Sequence, residues 1–289
     1  MSLTPNKKNR RIPKKAVQGR LLLERLFERD VDKGAVFCEI SGIQGSGKTS
    51  LSLGFADRII KNNPKEMIYW RESLDSPCQF MKLDSDKWQI LSERSFPIQV
   101  YEITKDMQPA DIKIRYFIGF SDLLRMSKPG MLNVVFFKDV SKWMAFIQRL
   151  GETPRWQTCI MDEFEDICPQ RCSGELWKRN DAFANRIKQI RKSLISVIGN
   201  TQSIMDIDYR VRAKLMMWIY TYGSRVDELS PVSKRAVHSL SIGSAWIDHG
   251  HALFGQFKFP PYLPKKRIFM IKSLEESPNS TSSPPEGHV

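Results

Sequence analysis

Long apolar runs are missing from this 289-residue chain, and no stretch approaches the ~18 residues that a membrane-spanning helix needs. The first residues carry no apolar signal region, so the chain is expected to be cytoplasmic. Histidine is scarce, with four, and the five cysteines make no metal pattern. Cys168 and Cys172 lie close together, but no second Cys/His pair accompanies them at zinc spacing. Cys38 and Cys159 fall in apolar stretches, where cysteine behaves as a small apolar residue. No disulfide framework follows, and a reducing setting fits. No internal repeat is visible. Acidic residues are short as well: 32 Asp and Glu face 45 Lys and Arg, leaving a formal charge of +13. That excess favours a polyanionic partner, nucleic acid first and an anionic membrane surface second.

What is present is enough for a packed core, because 41% of the residues are hydrophobic and 27% charged. The run Gly42-Ile43-Gln44-Gly45-Ser46-Gly47-Lys48-Thr49 fits G-x-x-x-x-G-K-[ST], the phosphate-binding P-loop. Residues 35–40 read as a strand entering the loop, and residues 51–60 as the helix leaving it. Glycines let the loop backbone curl so that its N–H groups face phosphate oxygens, and the helix N-terminus adds positive potential. Gly42, Gln44, Gly45, Ser46, Gly47, Lys48, Thr49 and Ser50 are therefore the candidate nucleotide-binding residues. Lys48 is expected to bridge the β- and γ-phosphates, and Thr49 to place its hydroxyl on Mg²⁺.

A second motif narrows the chemistry. Residues 156–161 form a mostly apolar run that ends in Asp162 and Glu163. Such a run suits a buried central strand, and acids at its C-terminal end reach the ligand crevice of an open α/β sheet. Asp162 is expected to hold Mg²⁺ through water, and Glu163 to polarise the attacking water. ATP and Mg²⁺ are the implied cofactors.

Along the rest of the chain, residues 1–15 read as a disordered basic arm and residues 16–29 as a helix with Leu21, Leu22, Leu23, Leu26 and Phe27 on one face. Strands are predicted at 67–71, 98–103, 112–117, 132–137, 195–200 and 216–220, with residues 72–95 irregular or helical. Helices are predicted at 143–150, 180–194 and 206–215, the last with Asp206 near its N-cap. A hairpin is predicted over 244–259. The last fifteen or so residues, rich in Ser, Pro and Glu, should be disordered. The implied organisation is a 1–15 arm, an ATPase domain over 16–265 with an insertion at about 72–140, and an extension over 266–289.

The strand after the acidic pair ends in Asn200-Thr201-Gln202. With 206–220 and the hairpin of 243–257, this resembles the FtsK–HerA superfamily of P-loop ATPases. The resemblance spans about residues 34–260. It implies an α/β fold with a mainly parallel central sheet flanked by helices, in which an additional strand separates the two motif strands. It also implies a ring, usually a hexamer, that moves or packages DNA, with Gln202 sensing the γ-phosphate. A neighbouring subunit would supply an arginine in trans, for which Arg191 and then Arg186 are the candidates, with Arg210 and Arg212 as fallbacks. The expected partners are double-stranded DNA read without sequence preference, further copies of the chain, and a viral capsid or transfer-complex protein. Two other functions fit the motifs: a virion-assembly ATPase of the zonula-occludens-toxin type, and an ATP-gated DNA-binding partition or regulatory protein.

Overall fold

Runs that bury every residue set the architecture, because a strand with both faces covered must lie inside a parallel sheet. The computed structural model describes residues 15–16, 18–83, 85–228, 230–250, 253–260 and 267–274. Strand β1 (Lys15–Ala16) and helix α1 (Gly19–Phe27) precede β2 (Phe37–Ser41), which feeds α2 (Lys48–Asn62) and then β3 (Met67–Arg71). Next come β4 (Trp88–Glu93), β5 (Ile98–Glu102), β6 (Gln108–Pro109), β7 (Ile114–Phe117), α3 (Phe120–Met126) and β8 (Leu132–Phe136). Helix α4 (Lys142–Leu150) leads to β9 (Gln157–Met161), α5 (Phe164–Ile167), α6 (Gly174–Lys192) and β10 (Ile195–Thr201). The chain continues through α7 (Tyr209–Arg212), β11 (Met217–Tyr220), α8 (Lys234–His238), β12 (Ser244–His249), β13 (Leu253–Lys258) and β14 (Phe269–Ser273).

Among the described residues, eleven strands form one sheet in the order β1-β13-β12-β11-β2-β10-β9-β3-β8-β4-β7. From β11 to β7 every pairing is parallel. Strand β10 lies between β2 and β9, as the additional-strand expectation requires. The hairpin β12–β13 adds an antiparallel edge. Alternate side chains divide the core in two. Phe37, Tyr69, Cys159, Met161 and Val197 face the helices α4 and α6. Cys38, Ile68, Trp70, Ile160 and Ile198 face α1 and α2. Each such fully buried side chain contributes roughly 1.5–3 kcal/mol of transfer free energy. Leu22, Leu23 and Leu26 of α1 are buried, whereas Leu21 faces solvent.

Several expectations are corrected. Residues 72–95, expected to be irregular or helical, contain a full strand, β4, and the 72–140 segment contributes β4, β7 and β8 to the main sheet. Polar residues hide β4: Gln89 donates to Asn133 Oδ1 at 2.7 Å, and Ser92 donates to Phe96 O at 2.7 Å. Strand β5 leaves the main sheet and pairs with β14 and β6. Helix α6 starts earlier than predicted and ends at Lys192, because Leu194 turns left-handed (φ 66°) to start β10. The 206–215 helix is a 3-10 turn at Ile204–Asp206 followed by the four-residue α7. Asp208, not Asp206, caps α7, with Oδ1 accepting from Arg210 N at 2.9 Å. Residues 1–14 of the basic arm and the last fifteen residues lie outside the described residues.

Candidate active site

The C-terminal ends of β2, β3, β9 and β10 converge on one cleft, the place where open parallel sheets bind ligands. Strand β2 delivers the chain to the loop over residues 42–47. A side chain at Gly42 would bring a Cβ within 2.0 Å of Thr221 Oγ1, so only glycine fits there. Gly47 caps α2 at φ 95°, a left-handed geometry that glycine adopts without strain. Ser46 Oγ lies 2.8 Å from Thr221 Oγ1, and Thr221 in turn donates to Ser41 O at 2.9 Å. Ser46 is therefore a buried brace of the loop. Lys48 folds back over the loop, its Nζ donating to Gly42 O at 2.7 Å and Ile43 O at 3.1 Å. Burial holds its pKa below the usual lysine value, against the opposing pull of Asp162 and Glu165.

Strand β9 carries the two acids to the same cleft. Asn200 Nδ2 donates to Asp162 Oδ1 at 3.3 Å, and Asn200 Oδ1 accepts from Ser52 Oγ at 2.8 Å. One amide thus ties β10 to both the acid of β9 and the first turns of α2. Burial pushes the Asp162 carboxyl above its ordinary range, and the Asn200 hydrogen bond opposes this. Glu163 sits in left-handed backbone (φ 51°), which costs about 1–2 kcal/mol in a non-glycine residue and is typical of functional sites. Its Oε2 accepts a hydrogen bond from Ser73 Oγ at 2.6 Å. Arg71 at the end of β3 braces the turn, donating to the Asp162 carbonyl, to Glu163 O at 3.2 Å and to Asp166 Oδ2 at 2.8 Å.

The cleft has a volume of about 460 Å³. It brings together Gln44, Gly45, Gly47, Lys48, Thr49, Ser50, Asp162, Glu163 and Gln202. Gly42 and Ser46 stand behind it as framework. Gln202 is at the rim, its backbone N–H donating to Glu165 Oε1 at 3.1 Å. The arginines lie elsewhere. Arg191 Nε donates to Ala35 O at 2.9 Å, at the opposite end of β2 from the P-loop. Arg186 is exposed and donates to Gln148 Oε1 at 3.1 Å. Arg210 is bound to Asp208 and lies 4.2 Å over the Trp177 ring. Arg212 donates to Ile204 O at 3.5 Å.

Three further acids were not singled out from the sequence. Glu39 of β2 is fully buried with neither oxygen hydrogen-bonded. Burial, and then the charge of Glu165, holds its carboxyl far above the usual range. Glu165 is also raised, mainly by burial. Glu72 is pushed up to about 8 by burial, with the Asp162 charge adding. The signal for Glu39 was a lone acid inside an apolar strand, and the signal for Glu72 was its place directly after β3. Ser73, Ser76, Pro77 and Gln79 also line the cleft, so the segment after β3 forms one of its walls.

Comparison of the sequence with known protein families finds no match, and none is found among curated proteins. The fold does match solved structures. The genome packaging NTPase B204 of Sulfolobus turreted icosahedral virus 2, in complex with AMPPCP, superposes with a TM-score of 0.54 at 15% identity. The match covers 78% of this chain and 98% of that one. B204, the DNA-packaging ATPase of Sulfolobus turreted icosahedral virus, gives 0.51 at 16% identity, covering 78% and 98%. The fold is that of a P-loop NTPase. The expected α/β fold, a mainly parallel central sheet flanked by helices, is borne out. Among the described residues, no helix is long and apolar enough to cross a membrane.

Proposed function

We propose that this protein hydrolyses ATP in the P-loop cleft and uses the energy to move DNA, working as a ring of identical subunits. The observation that carries the reading is the meeting of Lys48, Thr49, Asp162 and Glu163 around one cleft at the C-terminal edge of a parallel sheet. Lys48 Nζ can exchange its two loop carbonyls for β- and γ-phosphate oxygens, which are better acceptors for a cation. Backbone N–H groups at the start of α2 complete the anion cradle. Mg²⁺ fits beside Asp162, whose carboxylate takes one amide hydrogen bond from Asn200 and is raised by burial that a cation would offset. Thr49 and Asp162 would hold it, and it would neutralise charge on the phosphates.

In this reading Glu163 takes a proton from the attacking water. Its Oε2 accepts from Ser73, which orients the carboxylate, and Arg71 holds the turn beneath it. As the water oxygen bonds to the γ-phosphorus, its proton passes to Glu163 and the bond to the β-phosphate oxygen breaks. The products are ADP and phosphate. Gln202 at the rim is the candidate sensor of the γ-phosphate. The DNA part of the reading is supported by the +13 charge and by the packaging role named for B204. A cytoplasmic setting and a capsid or transfer-complex partner belong to the same reading.

The test uses two substitutions. Lys48→Ala should abolish tight ATP binding. Glu163→Gln should keep ATP binding and slow hydrolysis by on the order of 10²-fold or more, because proton acceptance is lost. Both are read by equilibrium binding and steady-state phosphate release. Full turnover by Glu163→Gln would remove Glu163 from the mechanism.

A further inference from the structure

The P-loop cleft has groups for phosphates but no place for a base: among the described residues its lining contains no aromatic ring. A second cavity, of about 550 Å³, adjoins it, and Ser50 lines both. Its walls are Leu51, Gly54 and Phe55 on one side of α2, and Phe257, Phe259 and Pro260 at the end of β13. The volume is in the range of small-ligand sites, and beside these apolar and aromatic side chains the lining carries Asp57 and the cations Arg20, Arg58, Lys61, Lys82 and Lys258. Phe259 also reaches the P-loop. A Cβ on Gly47 would lie 3.1 Å from its Cε2 and 3.2 Å from its Cζ. The ring edge thus sits directly against the residue before Lys48.

The polarity of the loop decides what enters the cavity. Lys48 serves the β- and γ-phosphates, and Thr49 and Asp162 lie on the γ side of it. The α-phosphate then falls at the next N–H groups of α2, beside Ser50. Sugar and base must leave on that side, away from Glu163. The cavity that begins at Ser50 lies there. Of the cations in the lining, Arg58 is paired with Glu24 and stacked 4.0 Å over Phe27. Gly54 leaves a bare patch of helix along the wall.

We infer that the cavity between α2 and the end of β13 is the base pocket of the nucleotide site, holding a purine against the Phe259 ring. The inference rests on the ATPase reading above and adds the recognition of the nucleoside. Base–aromatic stacking is lost on substitution by alanine, which gives the test its scale.

Binding of Mg·ATP and of Mg·tripolyphosphate is measured for the full chain and for Phe259→Ala, Phe259→Tyr and Gly54→Leu, with melting temperature as the check on folding. Phe259→Ala should weaken ATP by about 10-fold and leave tripolyphosphate within about two-fold, while Phe259→Tyr keeps both. Gly54→Leu, which fills the cavity, should likewise weaken ATP alone. If Phe259→Ala weakens both ligands equally, the ring only supports the P-loop and the base pocket is wrong. ATP binding unchanged in both Phe259→Ala and Gly54→Leu overturns it too. Wild-type protein that binds neither ligand defeats the ATPase reading itself, and the base pocket falls with it.

Discussion

At the scale of single residues, the site mixes groups that the motifs announce with groups that only folding reveals. Lys48, Thr49, Asp162 and Glu163 were legible because their spacing is imposed by phosphate geometry, which local sequence records directly. Asn200 was not, since the reach of one amide to both Ser52 and Asp162 is side-chain geometry that the sequence does not carry. The buried acids were hidden for the same reason: burial is a property of the assembled sheet. Glu72 gives a measurable consequence. Its single oxygen Oε2 accepts from Trp70 Nε1 and from the N–H groups of Gln79 and Phe80, yet burial still holds the carboxyl up at about 8, against an ordinary value of 4.5. The folded state therefore binds a proton that the unfolded state releases between these two values. The associated stability is complete below about pH 4.5 and is lost as pH rises to about 8. Glu72→Gln keeps an oxygen for the same three donors but cannot ionise. Its melting temperature should exceed that of wild type at pH 8, and the gap should close toward pH 5. Melting curves that stay parallel from pH 5 to 8 would show that Glu72 is ionised in the fold at no cost.

At the scale of elements, the central strands, the 244–259 hairpin and the strands at 98–103 and 112–117 were legible, and β4 and β14 were not. Strands β2, β3, β8, β9, β10 and β11 bury every residue, since both their faces are covered, and their sequences are mostly apolar. Strand β4 carries Gln89, Ser92 and Glu93, each with a partner that only the fold supplies; Glu93, for one, pairs with Lys142. Strand β14 escaped notice because it lies beside a stretch whose composition suggests disorder. It nevertheless aligns antiparallel with β5 and sends Ile271 into the α2-side core at 0% exposure. Its neighbours Ile98 and Val100 belong to the same cluster. Ile271→Ala should therefore destabilise the domain by about 2–5 kcal/mol in urea unfolding, the range for a cavity in a packed core. The same substitution at Leu274, which is 51% exposed, should cost far less. Equal, small effects at both positions would mean that β14 is not docked in solution.

At the scale of the whole molecule, charge and assembly carry the motor reading. A surface with an excess of +13 should bind DNA through phosphates, without sequence preference. Affinity should fall by roughly 10³-fold or more between about 50 and 200 mM salt if six or more phosphates are contacted. Affinity that stays flat over this range would assign the charge another purpose. Assembly is tested through the arginine that a ring would supply in trans. An arginine finger lowers the barrier by neutralising charge that builds up on the transferred phosphoryl group, an effect of about 10³–10⁵ in rate. Arg186 is the better placed of the two candidates to reach a neighbour, being exposed with one side-chain contact to Gln148, whereas Arg191 is half-buried against Ala35 O. Arg186→Ala and Glu163→Gln proteins should each be nearly inactive. When they are mixed, an Arg186→Ala subunit still has Glu163, and a Glu163→Gln neighbour still has Arg186. The interface between them is complete, so ATPase activity should partly return, and it should rise with protein concentration. No recovery in mixtures shown to co-assemble would exclude Arg186 and send the same experiment to Arg191→Ala. A wild-type monomer that hydrolyses ATP at full rate at every dilution would exclude a trans arginine altogether, and the ring motor with it.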